Sequence, residues 1–394
     1  MSRVSFSTAT LLLFTAVGGC RDAGTGPQSS AVAFASPAGA GPYELVDLGT
    51  LGGTSSTAKD VNNRGQVVGS SATAAGTSHA FLWEDGVMTD LGTLGGEWSD
   101  ATDVNASGQI VGHSADASGT SRAFLWTGGV MQDLGPAVNF RTVRLNASGQ
   151  VTWSAPQPDG TSHAVLWTDG VLQDLGTLGG ASEAEAINDV GEVVGSSNDH
   201  AFLWDGAVMQ DLGSLGNSAW AADVNNEGQV VGASYTPGPE PRLHALVWID
   251  GQMIDIGTPY TDANAHGVAI NNDGQVAGLS LSLGYEQGKP YLWEAGVLTP
   301  LKPANEGGRT ETVVGINQGG VVVGNKTLFH SDLAVVSDHG ARVFLPALSS
   351  FGTSAGAIND GGDVAGTALI DGSTSHAVLW RSGSTEMAAR PARR

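Results

Sequence analysis

The chain has 394 residues, of which only 14% are charged, and its 39 acidic residues outnumber its 17 Lys and Arg residues. The formal net charge of −22 repels phosphate backbones and anionic lipid headgroups, which argues against nucleic acid and electrostatic membrane binding. With so few charges, the surface must consist largely of Gly, Ser, Thr and Asn, as suits an exported β protein.

The N-terminal segment is typical of an export signal. Arg3 precedes an apolar run that is too short to span a bilayer and that ends in the small residues of Val17–Cys20. This ending resembles the lipobox of bacterial lipoproteins, whose cysteine is lipidated and becomes the mature N-terminus. We expect residues 1–19 to be a signal peptide, Cys20 to carry lipid, and the protein to lie at the outer membrane or cell surface. The alternative is an ordinary secretory signal that leaves a free thiol.

Three further segments follow from composition. Residues 20–42 are rich in Gly, Pro and Ser and predict a flexible tether, because such a segment cannot bury enough apolar surface to become ordered. Residues 43–385 carry repeats and predict a single domain, which we expect to be a monomer. Residues 386–394 are basic and predict a disordered tail.

An apolar residue followed by Asn recurs through the repeat region, with Gly three positions after each Asn. Separations of 37 to 46 residues between successive Asn residues are close to the length of a four-stranded propeller blade. Asn and Gly at this spacing favour a tight hairpin turn, because Gly accepts positive φ. The Asn residues are Asn62, Asn105, Asn146, Asn188, Asn225, Asn271, Asn317 and Asn359.

Each repeat contains four short apolar runs. The first run precedes the Asn, the second follows the Gly, the third ends in Trp, and the fourth ends in Asp-Leu-Gly. The segment 43–49 is a lone run of the fourth kind, whereas the last repeat lacks that run after Trp380. We therefore predict an all-β, eight-bladed β-propeller of about 42-residue four-stranded repeats, closed by the N-terminal strand 43–49 completing the last blade. An open β-solenoid or two smaller sheets is the competing architecture.

Several residue types recur once per repeat, which favours scaffold roles over a single reactive site. A Trp in seven repeats predicts packing between blades, and the seventh repeat, with Ser337 in that place, is expected to be the least stable. The recurring His predicts a structural hydrogen bond, and the recurring Asp predicts capping of backbone N–H groups. These are His79, His163, His200, His244 and His376, and Asp47, Asp90, Asp133, Asp174 and Asp211.

No cofactor or metal is expected. The spacing Asp60-x-Asn62-x-x-Gly65 superficially matches the start of a calcium loop, but the later acidic ligands and the closing Glu are missing. The repeated His could in principle hold a transition metal, yet residues that occur once per blade lie apart.

The motifs resemble those of the HAF-repeat family of bacterial proteins. The segments SHAFLWEDGVMTDLGTLGG and DVNASGQIVG carry the resemblance, which extends from Tyr43 to Trp380 and includes the eponymous tripeptide at His79–Phe81. The resemblance implies an exported repeat protein with an uncharacterised role. It supplies no catalytic residues.

We expect a binding site where the repeats differ from one another at an equivalent position. That position is the loop between the fourth run of one repeat and the first run of the following repeat. Aromatic residues there could stack on a ligand, and charged residues could orient it. The alternative is that these residues reflect ordinary sequence drift in surface loops. The candidate ligand-binding residues are Trp98, Phe140, Arg141, Arg144, Glu183, Glu185, Trp220, Asp262 and Phe351.

These features predict a non-enzymatic surface binding or interaction scaffold, with a carbohydrate or another exported protein as its partner. Two other functions stay open. One is an extracellular polysaccharide lyase or hydrolase, with Glu183 or Glu185 as acid or base and Arg141 or Arg144 neutralising substrate charge. The other is a purely structural envelope protein.

Overall fold

A computed structural model describes residues 43–138, 142–258, 263–282, 288–301, 310–328 and 331–383. The predicted signal peptide, Cys20, the tether and the basic tail lie outside these residues, as do Phe140, Arg141 and Asp262. In the part of the chain that the structure describes, no helix has the length and apolar character needed to cross a membrane.

The described residues form 32 strands and no helix. We number the repeats as units, each beginning with the strand before its Asn. The strands are β1 Tyr43–Gly49; in unit 1 β2 Gly52–Val61, β3 Val67–Thr73, β4 Ser78–Glu84 and β5 Val87–Asp90; in unit 2 β6 Gly95–Val104, β7 Ile110–Asp116, β8 Ser121–Thr127 and β9 Val130–Pro136; in unit 3 β10 Val143–Leu145, β11 Val151–Pro156, β12 Ser162–Thr168 and β13 Val171–Asp174; in unit 4 β14 Ser182–Ile187, β15 Val193–Ser197, β16 His200–Trp204 and β17 Met209–Asp211; in unit 5 β18 Ala219–Val224, β19 Val230–Tyr235, β20 Leu243–Ile249 and β21 Gln252–Gly257; in unit 6 β22 Ala263–Ile270, β23 Val276–Ser282, β24 Gly288–Glu294 and β25 Val297–Pro300; in unit 7 β26 Glu311–Ile316, β27 Val322–Thr327, β28 Asp332–Asp338 and β29 Ala341–Phe344; and in unit 8 β30 Thr353–Ile358, β31 Val364–Leu369 and β32 Ser375–Ser382.

Each unit is an antiparallel sheet in chain order, so the predicted all-β architecture of repeated four-stranded sheets is confirmed. A single parallel bridge between Ser78 and Trp98 joins the sheets of units 1 and 2. In unit 8 the fourth strand is β1, which pairs antiparallel with β32 from Tyr43 opposite Ser382 onward. The first strands of successive units contact one another, and β30 also contacts β2.

The hydrophobic core is divided among the seams between neighbouring units. Trp83 of unit 1, for example, packs in one buried cluster with Ala365 and Leu379 of unit 8. Trp248 of unit 5 likewise packs with Ala186 of unit 4. The predicted role of these Trp residues in packing between blades is confirmed at these seams.

The seam between units 6 and 7 differs because Ser337 replaces Trp. Arg342 lies opposite Ser337 on the neighbouring strand, and its Nη2 lies 3.0 Å from Oε2 of the buried Glu311. The buried Lys326 is 3.8 Å from the other carboxylate oxygen of Glu311. Buried ion pairs stabilise less than apolar packing of similar volume, so low stability of unit 7 stays our prediction.

The Asn–Gly motif forms the turn that the sequence predicts. In unit 1, Oδ1 of Asn62 accepts hydrogen bonds from the backbone N–H groups of Arg64 and Gln66, and Gly65 has a φ of 75°. This arrangement aligns the turn and leaves the Nδ2 group of Asn62 pointing toward unit 2.

The Asn side chain also joins each unit to the next. Among the described residues, all eight Asn Nδ2 groups donate to the backbone oxygen of the following Asn over 2.9 to 3.1 Å. The last of these bonds runs from Asn359 of unit 8 to the oxygen of Asn62 in unit 1. The motif is therefore a joint between units as well as a turn.

A Gly in the second strand allows the first strand to approach closely. A Cβ on Gly232 would lie 2.0 Å from the backbone oxygen of Trp220, and six other units have Gly in the equivalent place. Unit 3 has the fully buried Trp153 there. Its first strand β10 begins only at Val143, which is consistent with the space that the indole takes.

Candidate ligand-binding site

The first strands of units 1, 2, 3 and 8 line a shared cavity of about 410 Å³, which we call the inner cavity. Among the described residues, its lining combines hydroxyl groups with two cationic side chains and includes no carboxylate. The polar lining residues are Thr57, Lys59, Thr102, Thr142, Arg144, Ser354 and Thr367.

The two cations of the inner cavity have different surroundings. Lys59 forms an ion pair with Asp100 of unit 2. Arg144 is exposed, and no hydrogen bond joins its guanidinium to a described residue. Its neighbour Thr142 donates a hydrogen bond to Oε2 of Glu185 over 3.2 Å. Arg144 therefore keeps its planar set of N–H donors available within the cavity.

Carboxylates near the inner cavity bind the backbone of the following unit. Oδ2 of Asp60 accepts the N–H of Val104 at 2.9 Å, and Oδ2 of Asp103 accepts that of Leu145 at 3.1 Å. Burial, and then the negative charge of Asp60, raises the pKa of Asp103 well above its ordinary value, while Arg144 opposes this shift. Asp103 can therefore hold a proton well above the pH at which an exposed carboxyl loses it.

Asp223 of unit 5 is a second such carboxyl. Burial raises its pKa to about 6, and hydrogen bonds from the backbone N–H groups of Ile270 and Val224 partly offset the burial. Asp223 can consequently bind or release a proton at mildly acidic pH.

We expect Asp103→Asn to stabilise the protein at pH 8 by about 1 to 3 kcal/mol, and to have little effect at pH 4. The raised pKa means that the native chain binds the proton more tightly than the unfolded chain does. Stability is therefore highest below the ordinary carboxyl pKa and is lost as pH rises through the raised value. The Asn oxygen still accepts the N–H of Leu145 while the charge is gone.

Urea unfolding at both pH values measures this effect. Asp85→Asn, a change at an exposed turn residue, is the matched control and should leave stability unchanged at both. An equal gain for Asp103→Asn at pH 4 and pH 8 would contradict the assigned cause.

A second cavity of about 380 Å³ lies between units 7 and 8, and we call it the Phe351 pocket. The ring of Phe351 is 45% exposed there, although aromatic rings of its size are usually buried. Hydroxyl groups and one acid complete the polar lining, which consists of Ser331, Asp332, Thr353, Ser354 and Thr367. Ser354 and Thr367 line both cavities, so the Phe351 pocket adjoins the inner cavity.

The candidate residues that the sequence singled out are divided by the structure. Arg144 lines the inner cavity, Glu185 is linked to it through Thr142, and Phe351 lines the adjoining pocket. Trp98 and Trp220 are half-buried and line neither cavity.

Most of these residues lie in strands, so their expected placement in loops is wrong. Trp98 is in β6, where its backbone oxygen accepts a hydrogen bond from Ser114, and Trp220 is in β18, with its ring centroid 6.3 Å from that of Tyr235. Glu183 and Glu185 are both half-buried residues of β14. The first strands of the units therefore start earlier than the sequence pattern suggested.

The recurring His and Asp residues have the scaffold roles that the sequence predicts. Each His Nδ1 lies 2.7 to 2.9 Å from an Asp carboxylate that also accepts the backbone N–H two residues later. In unit 8 the pair joins His376 to Asp47 of β1. In unit 2, Arg122 replaces His and binds Asp133 at 2.8 Å.

The sequence reasoning missed Lys59, and it weighed the Asp of the Asp60-x-Asn62 pattern only as a calcium ligand. It did not predict the hydrogen bonds that Asp60, Asp103 and Asp223 accept from the next unit. The sequence did contain a signal for these residues, because the amino acid two residues before each repeated Asn differs from unit to unit. That position is occupied by Asp60, Asp103, Arg144, Ala186, Asp223, Ala269, Gly315 and Ala357. Among the described residues, no group of three or more His, Cys, Asp or Glu side chains could hold a metal ion.

Comparisons with known proteins bear on the fold. No family model matches the chain, and no curated protein matches it. The β-propeller domain of the trilobed protease from Pyrococcus furiosus is similar, with 10% identity and a TM-score of 0.49 over 84% of this chain and 95% of that one. A gluconolactonase from Xanthomonas campestris has 10% identity and a TM-score of 0.35 over 87% and 91% of the respective chains.

A structure from a study of two prolyl endopeptidases is also similar, with 12% identity and a TM-score of 0.52. The match covers 76% of this chain and 50% of that one, so the chain spans about half the length of the endopeptidase. The expectation that the chain is not an enzyme is contradicted by this last comparison, because the similar structure comes from a study of prolyl endopeptidases. At such identities the likeness shows the fold alone.

Proposed function

We propose that the protein is a carbohydrate-binding scaffold whose ligand lies across the Phe351 pocket and the inner cavity. The exposed ring of Phe351 beside several hydroxyl groups carries this proposal. Sugar rings present apolar C–H faces that pack on aromatic rings, and their hydroxyl groups exchange hydrogen bonds with Ser and Thr. The proposal concerns binding, and it holds whether or not the bound sugar is also chemically changed.

We further propose that the eight units form a closed eight-bladed β-propeller. Support comes from the pairing of β1 with β32, from the bond of Asn359 to Asn62, and from the packing of Trp83 against unit 8. In such a ring the inner cavity lies on the side of the axis formed by units 1, 2, 3 and 8, and the Phe351 pocket opens beside it. One extended ligand can then contact both.

We also propose export and anchoring at the cell surface through lipid on Cys20. The apolar run that ends at Cys20, the tether after it and the resemblance to the HAF-repeat family support this location. A surface location would bring the protein into contact with extracellular polysaccharides. A partner protein and a purely structural role are the competing outcomes of the test.

The test is a glycan-array screen of the purified protein, followed by titration of any glycan that binds. Phe351→Ala is expected to weaken binding about 5-fold, since an aromatic contact contributes on the order of 1 kcal/mol. Phe344→Ala is the matched control, because Phe344 is 40% exposed in β29 and lines neither cavity. Absence of any bound glycan, or equal affinity of Phe351→Ala and the parent, would exclude the proposed site.

A further inference from the structure

Arg144 is the cation of the inner cavity that has no hydrogen-bonded partner among the described residues, although its charge acts on the buried carboxyls of Asp103 and Asp223. Its guanidinium donates no hydrogen bond to a described residue, and its side chain is exposed. The other cation, Lys59, is paired with Asp100. Arg144 occupies the position two residues before Asn146, where the equivalent residues of the other units are Asp, Ala or Gly. A single Arg at this position gives unit 3 a different chemistry from every other unit.

The local fold of unit 3 explains how Arg144 reaches the cavity. Trp153 occupies the place of the Gly that in other units lies against the first strand, and its Nε1 donates to the oxygen of Pro136 over 3.1 Å. The first strand β10 is only three residues long and pairs in regular register with β11. The equivalent strands of the other units have a register shift, as between Ala101 and Asp103. Unit 3 thus presents Arg144 from a short, regular strand.

The surroundings of Arg144 suit a ligand that carries an anionic group. The side chains of Thr57, Thr102, Thr142 and Ser354 supply hydroxyl groups, and none of the described residues that line the cavity is a carboxylate. Of the carboxyls behind the lining, Asp103 has a raised pKa and so retains a proton more readily than an exposed carboxyl, which reduces the negative charge near Arg144. A guanidinium binds a carboxylate through two parallel hydrogen bonds.

We propose that Arg144 binds the carboxylate of a uronic acid unit, so that the preferred ligand is an acidic polysaccharide. This inference rests on the proposed carbohydrate function and adds the class of sugar. The shared lining by Ser354 and Thr367 allows a neighbouring sugar to pack on Phe351 while the uronic acid contacts Arg144. The overall charge of −22 opposes the approach of an anionic ligand, so its binding depends on a local cation such as Arg144.

The experiment is calorimetric titration of the whole protein with trimers of galacturonate, mannuronate, guluronate and glucuronate. Each trimer is compared with its carboxyl-reduced form, in which a hydroxymethyl group replaces the carboxylate. We expect at least one acidic trimer to bind about 10-fold more tightly than its reduced form. Arg144→Gln should remove that preference without changing affinity for the reduced form, and Arg144→Lys should retain part of it.

Arg64→Gln is the matched control, because Arg64 is an exposed residue of the first turn that does not line the cavity, and it should bind as the parent does. Equal binding of acidic and reduced trimers, or an unchanged preference in Arg144→Gln, overturns the inference and leaves carbohydrate binding intact. Absence of binding to every trimer in both forms overturns the inference and, when the glycan array is also blank, the proposed function with it.

Discussion

A chain without residues 43–49 is expected to lose about 5 kcal/mol or more of its free energy of unfolding, or to fail to fold. These residues are strand β1, which supplies the fourth strand of unit 8 and buries Tyr43 and Leu48. Burial of each such side chain contributes roughly 1.5 to 3 kcal/mol, and the pairing with β32 adds to this. The sum approaches the whole stability of an ordinary domain, about 5 to 15 kcal/mol.

Urea unfolding of the shortened chain measures the loss. Removal of residues 386–394, the predicted tail, is the control and should leave the unfolding midpoint unchanged. If the shortened chain does not fold, a synthetic peptide of sequence YELVDLG added in excess should restore the folded signal. An unchanged midpoint without β1 would refute its role and weaken the proposal of a closed ring.

Gly232→Ala is expected to cost about 3 kcal/mol or more. The added Cβ would lie 2.0 Å from the backbone oxygen of Trp220, far inside van der Waals contact, and neither backbone can withdraw without breaking the pairing of β18 with β19. The register shift between Ala221 and Asp223 marks the same close approach.

Gly315→Ala is the matched control. Gly315 also lies in a first strand, β26, but a Cβ there would have nothing within 4 Å. We expect it to change stability by no more than about 0.5 kcal/mol. Chemical denaturation of both variants tests the difference, and an equal loss in the two would show that the close contact does not limit stability.

Recurrence explains which parts of the fold the sequence could predict. Trp83 and its equivalents repeat with one spacing, so their common packing role could be inferred without knowing any partner. The pair of His79 and Asp90 is separated by 11 residues on adjacent strands, which makes both roles local. The pairing of β1 with β32 was also accessible, because the first and last repeats are each incomplete.

Contacts between units were harder to predict than contacts within them. The turn role of Asn62 depends on residues four positions away, whereas its Nδ2 bond depends on where Asn105 lies after both units have folded. One contact within a unit was also hidden, because the small residues of the second strand gave no sign that Gly232 faces the backbone oxygen of Trp220 in the first strand. Such contacts depend on how closely the two strands approach each other, which the hydrophobic pattern does not encode.

The candidate site was predictable only in part, for a related reason. Arg144 and Phe351 stood out because they depart from the repeat, but so did Trp98 and Trp220, which line neither cavity. Departure from a repeat marks a position as different without indicating where its side chain points. The single replacement of Gly by Trp153 was visible in the sequence. Its connection with the short strand β10 and with Arg144 became visible only in the structure.

The hydrogen bonds by which the repeated Asn side chains join successive units have a consequence for the evolution of such a protein. Each Nδ2 donates to a backbone oxygen, and every amino acid supplies that acceptor. A DNA segment that encodes one unit can therefore be copied or exchanged with its connection to both neighbours already in place. Exchange of whole units can then replace a side chain such as Arg144 while the joints persist, so the lining of the inner cavity can change without loss of the framework beneath it.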